Sequence, residues 1–330
     1  MKRILMLTLA LLLVAGFAVN CSDRGSSAMS SDVAAELANL PSDVRGVAYM
    51  NMDKLRSSPM FSSIKDSMEK RLDDASDYQE MFEETGLDVR ADVNELLVAF
   101  TNPDGDIEKS GLVIAKGSYD PERIMNFVKK KDTENRLGSE SYKEHTLYIP
   151  TNDDNRFCFA DRHRIVAGDK ELVKAWLDNF SDESTTFKNT ALNSAIADLR
   201  FKDTFWAVLD AASMMDEMMA QMSDEAMDRM PAIKSIQEVH MSMDVSKNLK
   251  VDGRGHFDNS DNALLFHDAL KGMMAMVKLS MGSDRDAMDV INKIDVQQNE
   301  SDVKFFMEMT RADLDKLMEK RRQGFAAIDY

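Results

Sequence analysis

From Gly111 the chain alternates apolar and polar positions through GLVIAKG, then passes by Tyr119-Asp120-Pro121 into a segment whose apolar residues recur every three or four positions. Period two predicts a half-buried strand over Gly111 to Gly117. Period 3.6 predicts a helix reaching Lys131, capped by Asp120 and started by Pro121, with Ile124, Phe127 and Val128 as its buried stripe. A similar pattern returns from Leu249 to Lys278. There an alternating strand runs through Phe257-Asp258-Asn259 into a helix whose stripe is Ala263, Phe266, His267, Leu270, Met274 and Val277.

The remaining elements follow from the same two periods. Val33 to Asn39 reads as a short helix closed by Leu40-Pro41, and Arg45 to Met52 as a strand that turns into a helix at Asp53. Pro59 to Thr85 is helical, with Met60, Ile64, Met68 and Leu72 at four-residue spacing and Gly86 as its stop. Asp88 to Asp92 leads into a strand, Glu95 to Thr101, and Asn102-Pro103-Asp104-Gly105 makes a tight turn. Three short strands follow the capped helix: His145 to Pro150, Arg156 to Ala160 and Arg164 to Ala167. Gly168 leads into a helix, Lys170 to Asn179, with Leu172, Val173, Trp176 and Leu177 inward.

After a polar linker, Ser181 to Asn189, the order restarts with Thr204 to Leu209, a Met-rich helix, and Val239 to Val245. Ala287 to Val296 and Val303 to Thr310 read as the last strands, and Ala312 to Arg322 as the last helix. The fold class expected is α+β: two tandem repeats of mainly antiparallel sheet with helices packed on one face, at 41–180 and 181–330. Arg156 to Ala167 supplies two strands where the second repeat is expected to supply one.

Ahead of this body, Lys2 and Arg3 precede an apolar run, Ile4 to Val14, and small residues lead to Cys21. The run is short for a membrane span and has the layout of an export signal, residues 1–20, with a Ser-rich tether over 21–40. Ala18-Val19-Asn20-Cys21 resembles a bacterial lipobox. That resemblance implies acylation of Cys21, a lipid anchor in the cell envelope, and, with Ser22 next, the outer membrane. The alternative is a secretory signal cut near Ala18. With the element order, the pattern resembles bacterial secreted lipoproteins built from repeated modules.

Charge narrows the partners. The chain carries a net charge of −17, and its first twenty residues hold only the basic Lys2 and Arg3. Such a field repels phosphate backbones, so nucleic acid is not expected. With Cys21 acylated, Cys158 is the one remaining cysteine and no disulfide is expected.

Catalytic patterns do not surface: there is no G-x-S-x-G, H-E-x-x-H, phosphate loop or C-x-x-C. No cofactor or metal is expected. Gly253-Arg254-Gly255 lacks the third glycine of a dinucleotide fingerprint and reads as a turn. The histidines at 145, 163, 240, 256 and 267 are scattered, and the acids Asp104, Asp106 and Glu108, like Asp153-Asp154, suit a solvated turn. Methionine is abundant, 26 in all. Met214, Met215, Met218, Met219 and Met222 would share one helical stretch as a packing face or apolar groove, Cu(I) being the metal alternative. The expectation is a non-catalytic binding or scaffolding role at the membrane, with an envelope protein or apolar ligand as partner. The other readings are a carrier of an apolar ligand in that Met-lined groove and a hydrolase with a dispersed site.

Overall fold

The computed structural model describes residues 30–61, 76–101, 110–132, 137–150, 154–183, 186–189, 192–197, 199, 202–214, 232–281 and 285–316. The chain is α+β with antiparallel strand pairing throughout the described ladders. It divides into two compact units. The N-terminal unit comprises Ala28–Arg56 and Ile64–Ser194, and the C-terminal unit Ser57–Ser63 with Ala195 onward.

The N-terminal unit opens with α1 (Ser31–Asn39), capped by the Ser30 hydroxyl, which accepts from the Val33 N–H. Next come β1 (Gly46–Asn51), α2 (Met52–Ser57), α3 (Ser76–Thr85), α4 (Val89–Asp92), β2 (Val93–Phe100), β3 (Gly111–Gly117) and α5 (Pro121–Lys131). Gly86, at φ 72°, ends α3 as expected. Then follow β4 (Gly138–Tyr142), β5 (His145–Ile149), β6 (Asn155–Phe159), β7 (Arg164–Asp169) and α6 (Lys170–Ser181). The strands pair in the order β1-β2-β3-β7-β6-β5-β4.

Strand β4 was not anticipated. Its sequence, Gly-Ser-Glu-Ser-Tyr, lacks the apolar alternation of a half-buried strand, and its pairing with β5 is what holds it extended. The short helix Asn193–Ala197 was likewise not anticipated.

One face of this sheet carries Val47, Tyr49, Leu97, Ala99, Leu112, Ile114, Val166 and Cys158, all buried. Helix α6 contributes Leu172, Val173, Trp176 and Leu177 to the core, the inward set expected from its spacing. Burial of such side chains stabilises by roughly 1.5–3 kcal/mol each. The opposite face bears in-register apolar rows, Ala48–Val98–Val113–Ala167–Phe157–Tyr148 and Met50–Leu96–Ala115–Ile165, which are half-buried. On that face the Phe100 ring lies over Gly46, where a Cβ would come within 2.1 Å of it.

In α5 the deepest residue is Met125, while Ile124, Phe127 and Val128 are only half-buried. The periodicity located the face but not its deepest point. Asp120 caps the helix, its Oδ1 accepting from the N–H groups of Glu122 and Arg123, each at 3.1 Å. Asp120→Ala should cost about 1 kcal/mol in urea unfolding. An unchanged midpoint would mean that water replaces the cap fully.

The C-terminal unit contains β8 (Phe205–Asp210), β9 (Ile236–Asp244), β10 (Leu249–Phe257), α7 (Ser260–Met281), α8 (Arg285–Ile291), β11 (Asp295–Asn299) and β12 (Asp302–Met309), and its strands pair in the order β8-β9-β10-β12-β11. Ala263, Phe266, Leu270 and Met274 of α7 pack with Phe257, Val296 and Val303, as their spacing foretold. Val277, read into the same stripe, is exposed.

The segment read as one strand from Ala287 to Val296 divides into α8 and β11. Residues 285–291 carry Asp286 and Asp289 at helical spacing, and Val290 packs against the Val251–Met307–Met309 cluster. Gly253-Arg254-Gly255 lies inside β10 rather than in a turn, with the Phe305 ring over Gly253. No described helix is long and apolar enough to cross a membrane.

Candidate functional site

Four polar residues stand in direct cross-strand register in the N-terminal unit: Asn51 opposite Glu95, Glu95 opposite Lys116, and Lys116 opposite Arg164. They occupy the same face as Tyr49, Ile114 and Val166. Helix α1 lowers Glu36 onto this row. Its carboxylate Oε1 accepts from Arg164 Nε at 2.9 Å and lies 3.6 Å from Lys116 Nζ, which is 2.9 Å from Glu95 Oε2. Arg164 also binds Asp161, and the Asn51 amide donates to the Tyr49 hydroxyl at 3.3 Å. The guanidinium of Arg164 lies 5.6 Å from the Phe180 ring centroid, and that ring stacks on Trp176 at 4.8 Å.

The Glu36 side chain is 3% exposed. A carboxylate so placed is stable only beside compensating cations. Burial, and then the charge of Glu95, push the Tyr49 hydroxyl well above its ordinary range, so it stays protonated. Burial alone would depress Arg164, but the hydrogen bond and charge of Glu36 outweigh it and hold the guanidinium above its usual value. Glu36, Glu95 and Asp161 thus each face a cation. Such an arrangement fixes α1 to the sheet rather than relaying protons. The sequence carried a signal of it: Glu36 falls on the apolar stripe Val33, Leu37, Leu40, and Lys116 continues the inward alternation of Leu112 and Ile114.

Cys21, Met215, Met218, Met219 and Met222 lie outside the described residues, as do Asp104, Asp106, Glu108 and Asp153; Met214 closes a 3-10 turn, Ala212–Met214. Phe257 is fully buried, and the turn after it is organised by Asn259, whose Oδ1 accepts from the Asn262 N–H at 2.8 Å. Asp120 and Asn259 thus cap the helices that follow the two aromatic-acid turns.

Cys158 is buried, and burial pushes its thiol up to about 12, which leaves it without thiolate at neutral pH. The His163 ring engages the Gly117 carbonyl, Nδ1 to O at 3.1 Å. His256 pairs with Asp302 at 2.8 Å, the other oxygen of which is 3.0 Å from Arg254 Nε, and His267 meets its neighbour Asp268 at 2.9 Å. Among the described residues no group of three or more His, Cys, Asp or Glu side chains is arranged to hold a metal ion.

No family model matches the chain, and no curated protein matches it significantly. Two crystal forms of TP0453 are similar in fold. Form I is 8% identical with a TM-score of 0.47, over 90% of this chain and 99% of that one. Form IV is 7% identical with the same TM-score, over 86% and 95% respectively. At this level of similarity nothing about function passes from TP0453 to this chain.

Proposed function

We propose that the protein is an exported lipoprotein of the cell envelope, held to a membrane through an acylated Cys21, with a non-catalytic binding or scaffolding role. The observation that carries this reading is the N-terminal pattern: two basic residues, an apolar run, Ala18-Val19-Asn20-Cys21, and a Ser-rich tether that ends at the Ser30 cap of α1. The tether from Cys21 to Ser30 spans at most about 30 Å when fully extended. It therefore keeps the first folded helix near the bilayer, and the buried Glu36 ion pairs fasten that helix to the sheet behind it.

We also propose that the body is a tandem duplication, each copy an antiparallel sheet with helices on one face. The strand order supports it. In the N-terminal unit β1-β2-β3 is followed by α5, β7 returns beside β3, and β6 lies outside β7. In the C-terminal unit β8-β9-β10 is followed by α7, β12 returns beside β10, and β11 lies outside β12. On this reading β6 and β7 are answered by β11 and β12, and the hairpin β4–β5 is an addition to the first copy.

Cys21→Ser tests the anchor. In the native host the variant should move from the membrane to the soluble fraction and lose incorporation of labelled palmitate. A variant that remains with the membranes at unchanged mass apart from the substitution overturns the lipoprotein reading.

A further inference from the structure

Helix α7 is apolar on two sides. Its inner stripe, Ala263, Phe266, Leu270 and Met274, packs into the core of the C-terminal unit. At about 100° per residue, Leu265, Gly272, Met276 and Leu279 fall on the opposite side. They face solvent: Leu265 is 46% exposed, Met276 56% and Leu279 82%, with Leu264 and Ala275 exposed beside them. Of the six large hydrophobic side chains that stand exposed among the described residues, five lie on this helix, which singles it out as the surface to be covered. A surface helix ordinarily turns its charged residues outward.

The outer stripe is arranged about a centre. Leu265 stands seven residues before Gly272 and Leu279 seven after it. At 1.5 Å per residue each leucine is about 10 Å from that centre. A second α7 laid antiparallel on the first, Gly272 against Gly272, therefore sets each Leu265 opposite a Leu279. Small residues at the crossing let the two backbones approach closely, and nothing of the chain itself lies within 4 Å of where a Gly272 Cβ would stand.

Charge selects the same arrangement. From Ser260 to Asp268 the helix carries Asp261 and Asp268 and no lysine or arginine; from Ala269 to Met281 it carries Lys271 and Lys278 and no acid. Neither lysine makes an ion pair with another described residue, while Asp268 meets His267 of its own helix at 2.9 Å. In an antiparallel pair the acidic half of each helix lies along the basic half of the other. Asp268 of one copy then comes within two residues, about 3 Å along the axis, of Lys278 of the second copy, on the same flank of the stripe. A parallel pair would set like charges together, and it would align the helix dipoles instead of opposing them.

We propose that the outward face of α7 is the interface of a twofold homodimer in which the two copies of the helix run antiparallel and cross at Gly272. A single helix pair is a small interface, so the dimer is reversible rather than obligate. The inference is independent of the anchor at Cys21 and is tested on the soluble mature chain carrying Cys21→Ser.

Sedimentation equilibrium at about 0.15 M salt, where the net negative charge of the two copies is screened, should show a monomer–dimer equilibrium. Leu265→Glu and Leu279→Lys alter exposed positions, so each variant should keep the parent's far-ultraviolet circular dichroism. Each alone should dimerise about a hundredfold more weakly, because its dimer sets two unpaired charges against leucines. Mixed in equal amounts, the two variants should recover dimer to within about tenfold of the parent affinity, since the glutamate introduced at 265 then faces the lysine introduced at 279.

A parent chain that stays monomeric at millimolar concentration overturns the proposal, as does a dimer indifferent to both substitutions. Two weakened variants whose mixture does not recover would exclude the antiparallel register and overturn it too. Co-sedimentation of a monomeric parent chain with vesicles of phosphatidylethanolamine and phosphatidylglycerol, lost in either variant, would assign the stripe to a lipid surface and likewise overturn it.

Discussion

Arg164→Ala is expected to lower stability by about 3–5 kcal/mol, because it leaves the buried Glu36 carboxylate without its nearest cation. Lys116, 3.6 Å from the same oxygen, is already engaged by Glu95 and compensates only in part. The substitution also removes the guanidinium from the Phe180 ring, at the edge of the Trp176 stack. Hydrogen exchange should quicken first in α1.

The double substitution Glu36→Leu with Arg164→Met should recover most of that loss, since well-packed apolar groups often replace a buried ion pair at little cost. Urea unfolding of the soluble mature chain measures both. A single-variant loss under about 1 kcal/mol would show that the pair is solvated and that α1 is held by its apolar contacts alone.

Gly168→Ala carries the second large effect. Gly168 has φ 148°, a backbone conformation that side-chain-bearing residues rarely adopt. A Cβ there would sit 2.1 Å from the Gly111 carbonyl oxygen and 2.9 Å from Leu112 Cα. These are backbone atoms of the neighbouring strand, so relief requires shifting the β3–β7 ladder at the pair Leu112–Gly168. A loss of about 3 kcal/mol or more is expected in urea. Gly272→Ala is the control: nothing lies within 4 Å of its Cβ position in α7, so alanine should stabilise by about 0.5–1 kcal/mol through helix propensity. Similar small effects at both positions would refute the steric account.

Trp176 and Asp120 show how much of the fold was open to sequence reasoning. Both belong to helices whose apolar spacing and caps are local properties, and both stand where spacing put them. β4 and α8 were missed for the opposite reason. Gly138 to Tyr142 has no apolar alternation of its own, and Arg285 to Ile291 runs into a strand without a proline or glycine to mark the change. Tertiary pairing with β5 decided the first, and packing of Val290 on the Val251–Met307 cluster contributes to the second.

The candidate site divides in the same way. That Glu36 and Lys116 occupy inward positions was written in the periods of α1 and β3. That they meet Arg164, which lies 128 positions from Glu36 in the chain, was not. The sequence alone indicated the α+β class and the inward faces of α6 and α7, because each depends on residues a few positions apart. The tertiary structure alone decided the register that aligns Asn51, Glu95, Lys116 and Arg164, and the position of β4 as an outer edge. Register and strand order arise from pairing between distant segments, and local periodicity carries no information about which segment a strand will meet.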